Sequence, residues 1–205
     1  MRFYAACLAS YNNGVLHGRW IDASSDADEM QEEVSAMLRE SRFPNVMVEC
    51  VECDASGRLQ GPAPGLKWYC PKCQGKGQVP SAEEWAIHDY DGLPSSLGEY
   101  PGLDKIAEFV ELCEEHDMTG EDMAAIVSHF GSVEYAKEEL ENNFVGVHES
   151  FRAYAEELAD EMLSAHDIKA DHPLSQYFDY EAYARDLTHE ASAVELDQGV
   201  AVFCA

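Results

Sequence analysis

Four cysteines carry the plainest chemistry in this chain. Cys50-Val-Glu-Cys53 and Cys70-Pro-Lys-Cys73 are two Cys-x-x-Cys steps separated by sixteen residues. Each step is a knuckle that turns two thiolates toward one point, and two knuckles complete a tetrahedron. Zn2+ suits four soft thiolates, so the spacing predicts a structural zinc site with Cys50, Cys53, Cys70 and Cys73 as ligands. Iron and an unmetallated insertion are the alternatives. A closed shell of four thiolates leaves no place for an activated water, which argues against a zinc hydrolase. Cys7, Cys113 and Cys204 lie in apolar surroundings and read as small buried hydrophobes. Seven cysteines, four of them in paired steps, point to a reducing cytoplasm rather than a secreted disulfide framework.

Carboxylates supply the second chemistry. The chain has 40 Asp and Glu against 13 Lys and Arg, a net charge of -27 in 205 residues. Residues 1–43 hold seven acids and four bases, residues 44–80 three and four, and residues 81–205 thirty and five. Any surface helix shows a solvated polar face, but ordinary ones interleave Glu with Lys at four-residue spacing. Here Asp104 is followed by Glu108, Glu111, Glu114, Glu115, Asp117, Glu121 and Asp122, the last seven with no Lys or Arg between them. Glu134, Glu138, Glu139, Glu141, Glu149, Glu156, Glu157, Asp160 and Glu161 continue the series, with Arg152 alone among the last eight. Unpaired like charge destabilises a compact state, so a partner that supplies the cations accounts for it better than solubility does. Halophilic acidity competes as an explanation, yet it should also have acidified residues 44–80.

A folded array of fixed anions resembles the phosphate backbone of a duplex. Duplex DNA carries one charge per about 1.7 Å of axis, so 27 charges match about 46 Å. Nucleic acid and anionic lipid would be repelled by such a surface, and a basic protein groove is the expected ligand. The competing reading is a zinc-stabilised acidic adaptor that captures basic proteins in general.

No catalytic constellation emerges. The chain lacks Gly-x-Ser-x-Gly, a phosphate-binding glycine loop and His-Glu-x-x-His, and its eight histidines are dispersed. Carboxylate pairs are too plentiful to single out a dyad, so no enzyme activity is expected. With 46% hydrophobic residues and 10 Tyr, 8 Phe and 3 Trp, the chain can bury a core and is not a disordered acidic tail. No apolar run reaches membrane-spanning length, and polar Ser10 to Asn13 break the N-terminal run too early for a signal peptide.

The elements that position these groups read as α+β. Arg2 to Ala9 is a β-like run, Tyr11-Asn12-Asn13-Gly14 carries the Asn-Gly hairpin signal, and Val15 to Ile21 returns as a second strand. Met30, Val34, Met37 and Leu38 give helical spacing over Asp26 to Arg39. Residues 46–80, rich in Gly and Pro, form a self-contained insertion, and Glu84 to Tyr90 resumes the interrupted sheet. Helices follow over Asp104–His116, Glu121–Phe130 (opened at Thr119, stopped at Gly131), Val133–Leu140 and from Ser150, where Phe151, Tyr154, Ala155, Leu158 and Met162 form a stripe. Tyr180–Leu187 is a short helix, and Ala193–Leu196 with Val200–Phe203 is a closing hairpin.

Two resemblances follow from these residues. Cys70-Pro-Lys-Cys73-Gln-Gly-Lys-Gly77 is similar to one cysteine-rich repeat of DnaJ-type co-chaperones. Far broader is the second. Tyr11 to Asp22, Glu83 to Gly92, Leu140 to Glu161 around Phe144-Val-Gly-Val-His-Glu-Ser150, and Tyr180 to Leu187 resemble, in order, four blocks of ArdA-type antirestriction proteins. That resemblance implies a DNA mimic that inhibits type I restriction–modification enzymes in a bacterial cytoplasm, encoded on a mobile element. It also implies an elongated chain of three small domains that dimerises through its C-terminal part. On this chain these would be residues 1–98 with the zinc insertion at about 46–80, a central acidic helical domain 99–141 and an α+β domain 142–205. The cysteine insertion departs from the typical family pattern.

Overall fold

An apolar run at the start of the chain organises the first sheet. The structure is a computed structural model and describes residues 1–61, 65–168 and 171–204. β1 (Arg2–Cys7) buries Phe3, Ala5, Ala6 and Cys7. One helical turn, α1 (Leu8–Tyr11), precedes β2 (Gly18–Asp22), which pairs antiparallel with β1 from Arg2↔Asp22 to Ala6↔Gly18. The tight Asn-Gly hairpin expected here is therefore replaced. Asn13 spends its side chain on the helical turn, donating from Nδ2 to the Ala9 carbonyl at 2.8 Å, so the second strand starts three residues later than Val15. α2 (Ala27–Arg39) is capped by Asp26, whose carboxylate accepts from the Asp28 and Glu29 amides. Its buried residues are Met30, Val34, Met37 and Leu38, and the helix lies on β1 and β2.

The insertion follows α2 as two ribbons. β3 (Val46–Glu49), β4 (Arg58–Gln60), β5 (Lys67–Tyr69) and β6 (Gln78–Ser81) pair antiparallel as β3 with β6 and β4 with β5. Pro80 stands opposite Met47, a position open to proline because each strand of a two-stranded ribbon is an edge. Pro62 and Pro64, two of the breakers that mark the insertion, lie outside the described residues. β7 (Trp85–Asp91) then returns to the first sheet, giving the order β2-β1-β7.

The chain divides into two compact units, Met1–Val110 and Glu111–Ala205. The division falls inside α3 (Leu103–Glu115), which buries Leu103, Ile106, Ala107, Phe109, Val110, Leu112 and Cys113. The second unit has α4 (Gly120–Phe130), α5 (Val133–Asn142), β8 (Phe144–His148), α6 (Phe151–Ala165), α7 (Tyr180–Leu187), β9 (Ala191–Leu196) and β10 (Gly199–Cys204). Its sheet has the order β8-β10-β9, with β10 central and Val200 to Phe203 wholly buried. Phe203 meets the rings of Phe130 and Phe144 at 4.9 and 5.4 Å. The architecture is mixed α+β, as the sequence pattern predicts. Two further details differ from that pattern: β8 is an additional strand, and Met162 at the end of the α6 stripe is exposed.

Candidate metal centre and acidic surface

The thiols of Cys50, Cys53, Cys70 and Cys73 all lie within 4.8 Å of one another and are buried. Sγ of Cys50 is 3.8 Å from Sγ of Cys70, and Cys53 is 3.8 Å from Cys73. A tetrahedron of sulfurs at about 2.3 Å from zinc has edges of about 3.8 Å. The cluster thus has the size of a four-thiolate metal site and is able to hold a metal ion. Val79, Val48 and Leu59 pack around it and keep water away.

The two knuckles are built alike, twenty residues apart. In each, positions equivalent to Asp54 and Gln74, to Ala55 and Gly75, and to Gly57 and Gly77 adopt positive φ. Each also cross-bonds to the other. The Cys50 amide donates to the Gly77 carbonyl and the Cys70 amide to the Gly57 carbonyl, both at 2.9 Å. Close approach dictates glycine at these two corners. A Cβ on Gly57 would sit 2.4 Å from the Gly75 carbonyl oxygen, and one on Gly77 would sit 2.2 Å from that of Ala55.

Protonation follows from burial and backbone donors. Burial pushes the Cys53 thiol up to about 12 and raises Cys50 as well. Burial also opposes ionisation of Cys73, but the Gly77 amide, donating to its sulfur at 3.3 Å, with the neighbouring thiols and the Gly75 amide, outweighs it and brings Cys73 down to about 7. Four thiols this close and this dry do not all ionise unless a cation joins them. Elsewhere, burial, reinforced by Glu114, pushes Cys113 up to about 12. Cys7 is more than a hydrophobe, donating to Ser41 at 3.4 Å within a buried Ser10–Ser41 pair. Cys204 is only half-buried, 3.3 Å from the Tyr154 hydroxyl.

Of the acids singled out from sequence, Asp104, Glu111, Glu114, Glu115, Asp117, Glu121, Glu134, Glu138, Glu141, Glu149, Glu157, Asp160 and Glu161 are exposed. Glu108, Asp122, Glu139 and Glu156 are half-buried. Some serve the fold. Asp122 accepts from the Thr119 hydroxyl at 2.8 Å and from the Asp197 amide at 2.9 Å, tying the start of α4 to the β9–β10 turn. Glu139 accepts from Asn143, Asp160 from the Tyr180 hydroxyl, and Glu156 from Arg152 at 2.7 Å. Glu157 lies 3.4 Å from His148. Among the described residues, Glu111, Glu114, Glu115, Asp117, Glu121, Glu138, Glu141, Glu149 and Glu161 have no ion-pair partner. The second unit as a whole holds 23 acids and four bases.

Sequence reasoning overlooked further exposed acids in that unit, including Glu181, Asp186, Glu190, Glu195 and Asp197. Their signal was the same scarcity of bases, extended past the last strongly striped helix. It also overlooked Arg39, whose Nε is buried without a hydrogen-bond partner among the described residues, beside a cleft lined by Ser35, Met47, Glu83 and Trp85.

Fold and site together define a class: an acidic α+β protein with a four-cysteine knuckle pair set into its first sheet. Within that class the assignment is specific. Residues 3–202 match the model of the antirestriction protein (ArdA) family, and the chain belongs to that family. Antirestriction proteins counter restriction–modification enzymes as inhibitors rather than as catalysts. No curated protein matches the chain. None of the helices among the described residues is long and apolar enough to cross a membrane.

Proposed function

We propose that this protein mimics duplex DNA and occupies the DNA-binding groove in the methyltransferase core of a type I restriction–modification enzyme. The observation that carries this reading is the set of exposed carboxylates without cation partners among the described residues, in a unit of 23 acids and four bases. Such a surface offers fixed anions to a groove lined with Lys and Arg, and complex formation releases ordered ions from both sides. On this reading residues 99–141 and 142–205 present most of the array, in the cytoplasm where the target enzyme works. The protein would act as a homodimer. β8 supports that part: it is an edge strand of its sheet and exposes Val145 and Val147, a surface suited to a second copy.

The test is competition between this protein and duplex DNA for a purified type I methyltransferase. Displacement of DNA by a modest excess, weakening steeply with salt, is the expected result. Undiminished DNA binding and modification at large molar excess would refute the mimic. A general acidic adaptor would instead capture basic proteins that have no duplex-shaped groove.

The knuckle pair fits Zn2+ bound by Cys50, Cys53, Cys70 and Cys73 in a structural role. The 3.8 Å sulfur spacing, the dry apolar surround and the amide donated to Cys73 support this choice. Bound there, zinc would neutralise four otherwise incompatible thiolates and lock the insertion. Cys50→Ser and Cys73→Ser variants are expected to lose the single metal equivalent measured by elemental analysis. Unchanged stoichiometry would remove these ligands from the assignment.

A further inference from the structure

The cations of the insertion are misplaced for an acidic protein. Arg58, Lys67, Lys72 and Lys76 are exposed and make no ion pair among the described residues, although acids outnumber bases 40 to 13 in the chain. Arg2, Arg19, Arg152 and Arg185, by contrast, are all paired with carboxylates. The same insertion exposes two large aromatic rings, Trp68 at 57% and Tyr69 at 73%. Exposed aromatic rings beside cations without ion pairs among the described residues mark a candidate binding surface.

The β4–β5 register divides these side chains between two faces of the ribbon. Arg58 stands opposite Tyr69 and Gln60 opposite Lys67, so these four side chains line one face of the ribbon. Leu59 and Trp68 form the other pair, with Leu59 turned toward the cysteine cluster. The Arg58 guanidinium lies 5.7 Å from the centre of the Tyr69 ring. The second knuckle supports the ring from below, since a Cβ on Gly75 would sit 2.5 Å from it. Lys76 follows Gly75 directly and Lys72 sits in the same knuckle. Tyr69 is thus held in place beside the Arg58 guanidinium and open to solvent.

We infer that this ribbon is a contact site for single-stranded nucleic acid. Unpaired bases stack on exposed aromatic planes, and flanking Lys and Arg neutralise the phosphates between them. An acidic protein segment would satisfy the cations but gives no reason to expose Tyr69 on the same face. Repulsion from the rest of the chain does not forbid a local contact, because the screening length is about 8 Å at physiological ionic strength. Metal-bound thiolates would hold about two negative charges, but at buried sulfurs, whereas the cations are at the surface. The acidic second unit and this basic ribbon would then address different ligands, a protein groove and a strand of nucleic acid.

The experiment is fluorescence anisotropy of labelled oligothymidylate and oligouridylate titrated with the full-length protein from low to physiological salt. Both strands are expected to bind, because stacking tolerates either sugar. Tyr69→Ala is expected to weaken binding about tenfold. Lys67→Gln keeps the rings and should lower the slope of log affinity against log salt by about 0.7. Bound zinc and circular dichroism, measured on each variant, report whether the knuckles remain folded. Absence of binding at low salt overturns the inference. So does binding whose strength and salt slope are unchanged in both variants, which would put the contact elsewhere. Salt-sensitive self-association lost in Lys67→Gln, without oligonucleotide binding, would make the acidic unit of a second copy the ligand and overturn it as well. No restriction enzyme enters the measurement, so it stands apart from the test of the DNA-mimic reading.

Discussion

At the scale of single residues, the knuckles depend as much on two glycines as on four cysteines. Gly57 and Gly77 take positive φ, and each turns its missing side chain into the backbone of the opposite knuckle. Gly77→Ala would meet the Ala55 carbonyl at 2.2 Å and add a left-handed conformational cost of about 1–2 kcal/mol. It would also strain the amide that donates to Cys73. The variant is therefore expected to surrender metal to a chelator faster than the parent while keeping all four thiols. Equal rates would show that the cross-knuckle contact is dispensable. The cysteines were legible from their spacing alone. The internal duplication was not, because beyond Cys-x-x-Cys and one glycine the two copies share no side chain: Val-Glu, Asp-Ala-Ser in one, Pro-Lys, Gln-Gly-Lys in the other. What repeats is the backbone conformation, and Ala55 and Asp54 adopt positive φ without a glycine to announce it.

Elements were legible where local rules are strong. Asp26, Thr119, Ser132 and Ser150 each cap the helix that follows, accepting an amide two or three residues on. The apolar spacing then carries α2 to α6 through their lengths. Ser150→Ala removes the acceptor for the Ala153 amide and is expected to cost about 1 kcal/mol of stability, read as a lower melting temperature. Inhibition should be unchanged, since the cap holds α6 and presents no charge. A loss of inhibition at full occupancy of the folded state would mean that Ser150 touches the partner. Elements that depend on distant pairing were less legible. β8 is short, is interrupted by Gly146, and finds its partner β10 some fifty residues later. β3 and β6 are separated by the whole of both knuckles, and Pro80 argues locally against a strand. α1 is a single turn whose Asn-Gly sequence equally suits a hairpin, and the Asn13–Ala9 bond joins the backbone bonds from Asn12 to Leu8 and from Val15 to Ser10 in favouring the helical turn. β7, although it too follows the insertion, was legible because its alternation is long and it completes an edge that β1 leaves open.

Across the whole molecule, charge works against the fold and for the proposed function, and the two effects can be separated by sign. Self-repulsion among 23 acids balanced by four bases destabilises the second unit, and added salt, which screens it, should raise the melting temperature. Glu111, Glu114, Glu115 and Glu121 are exposed and unpaired among the described residues, so their conversion to Gln removes charge without breaking a contact. A DNA mimic predicts opposite movements in this block variant: higher thermal stability and weaker inhibition of a type I enzyme. Single Glu→Gln changes at these sites should be nearly silent in both, because each contributes one phosphate-like anion to a distributed array. Asp122→Asn should behave differently, lowering stability through its bonds to Thr119 and the Asp197 amide. If the block variant gains stability and inhibits as well as the parent, the charge is a solubility device and the mimic reading fails. If one exposed acid alone abolishes inhibition in a protein that still folds, recognition is local, and a distributed array is the wrong description of the surface.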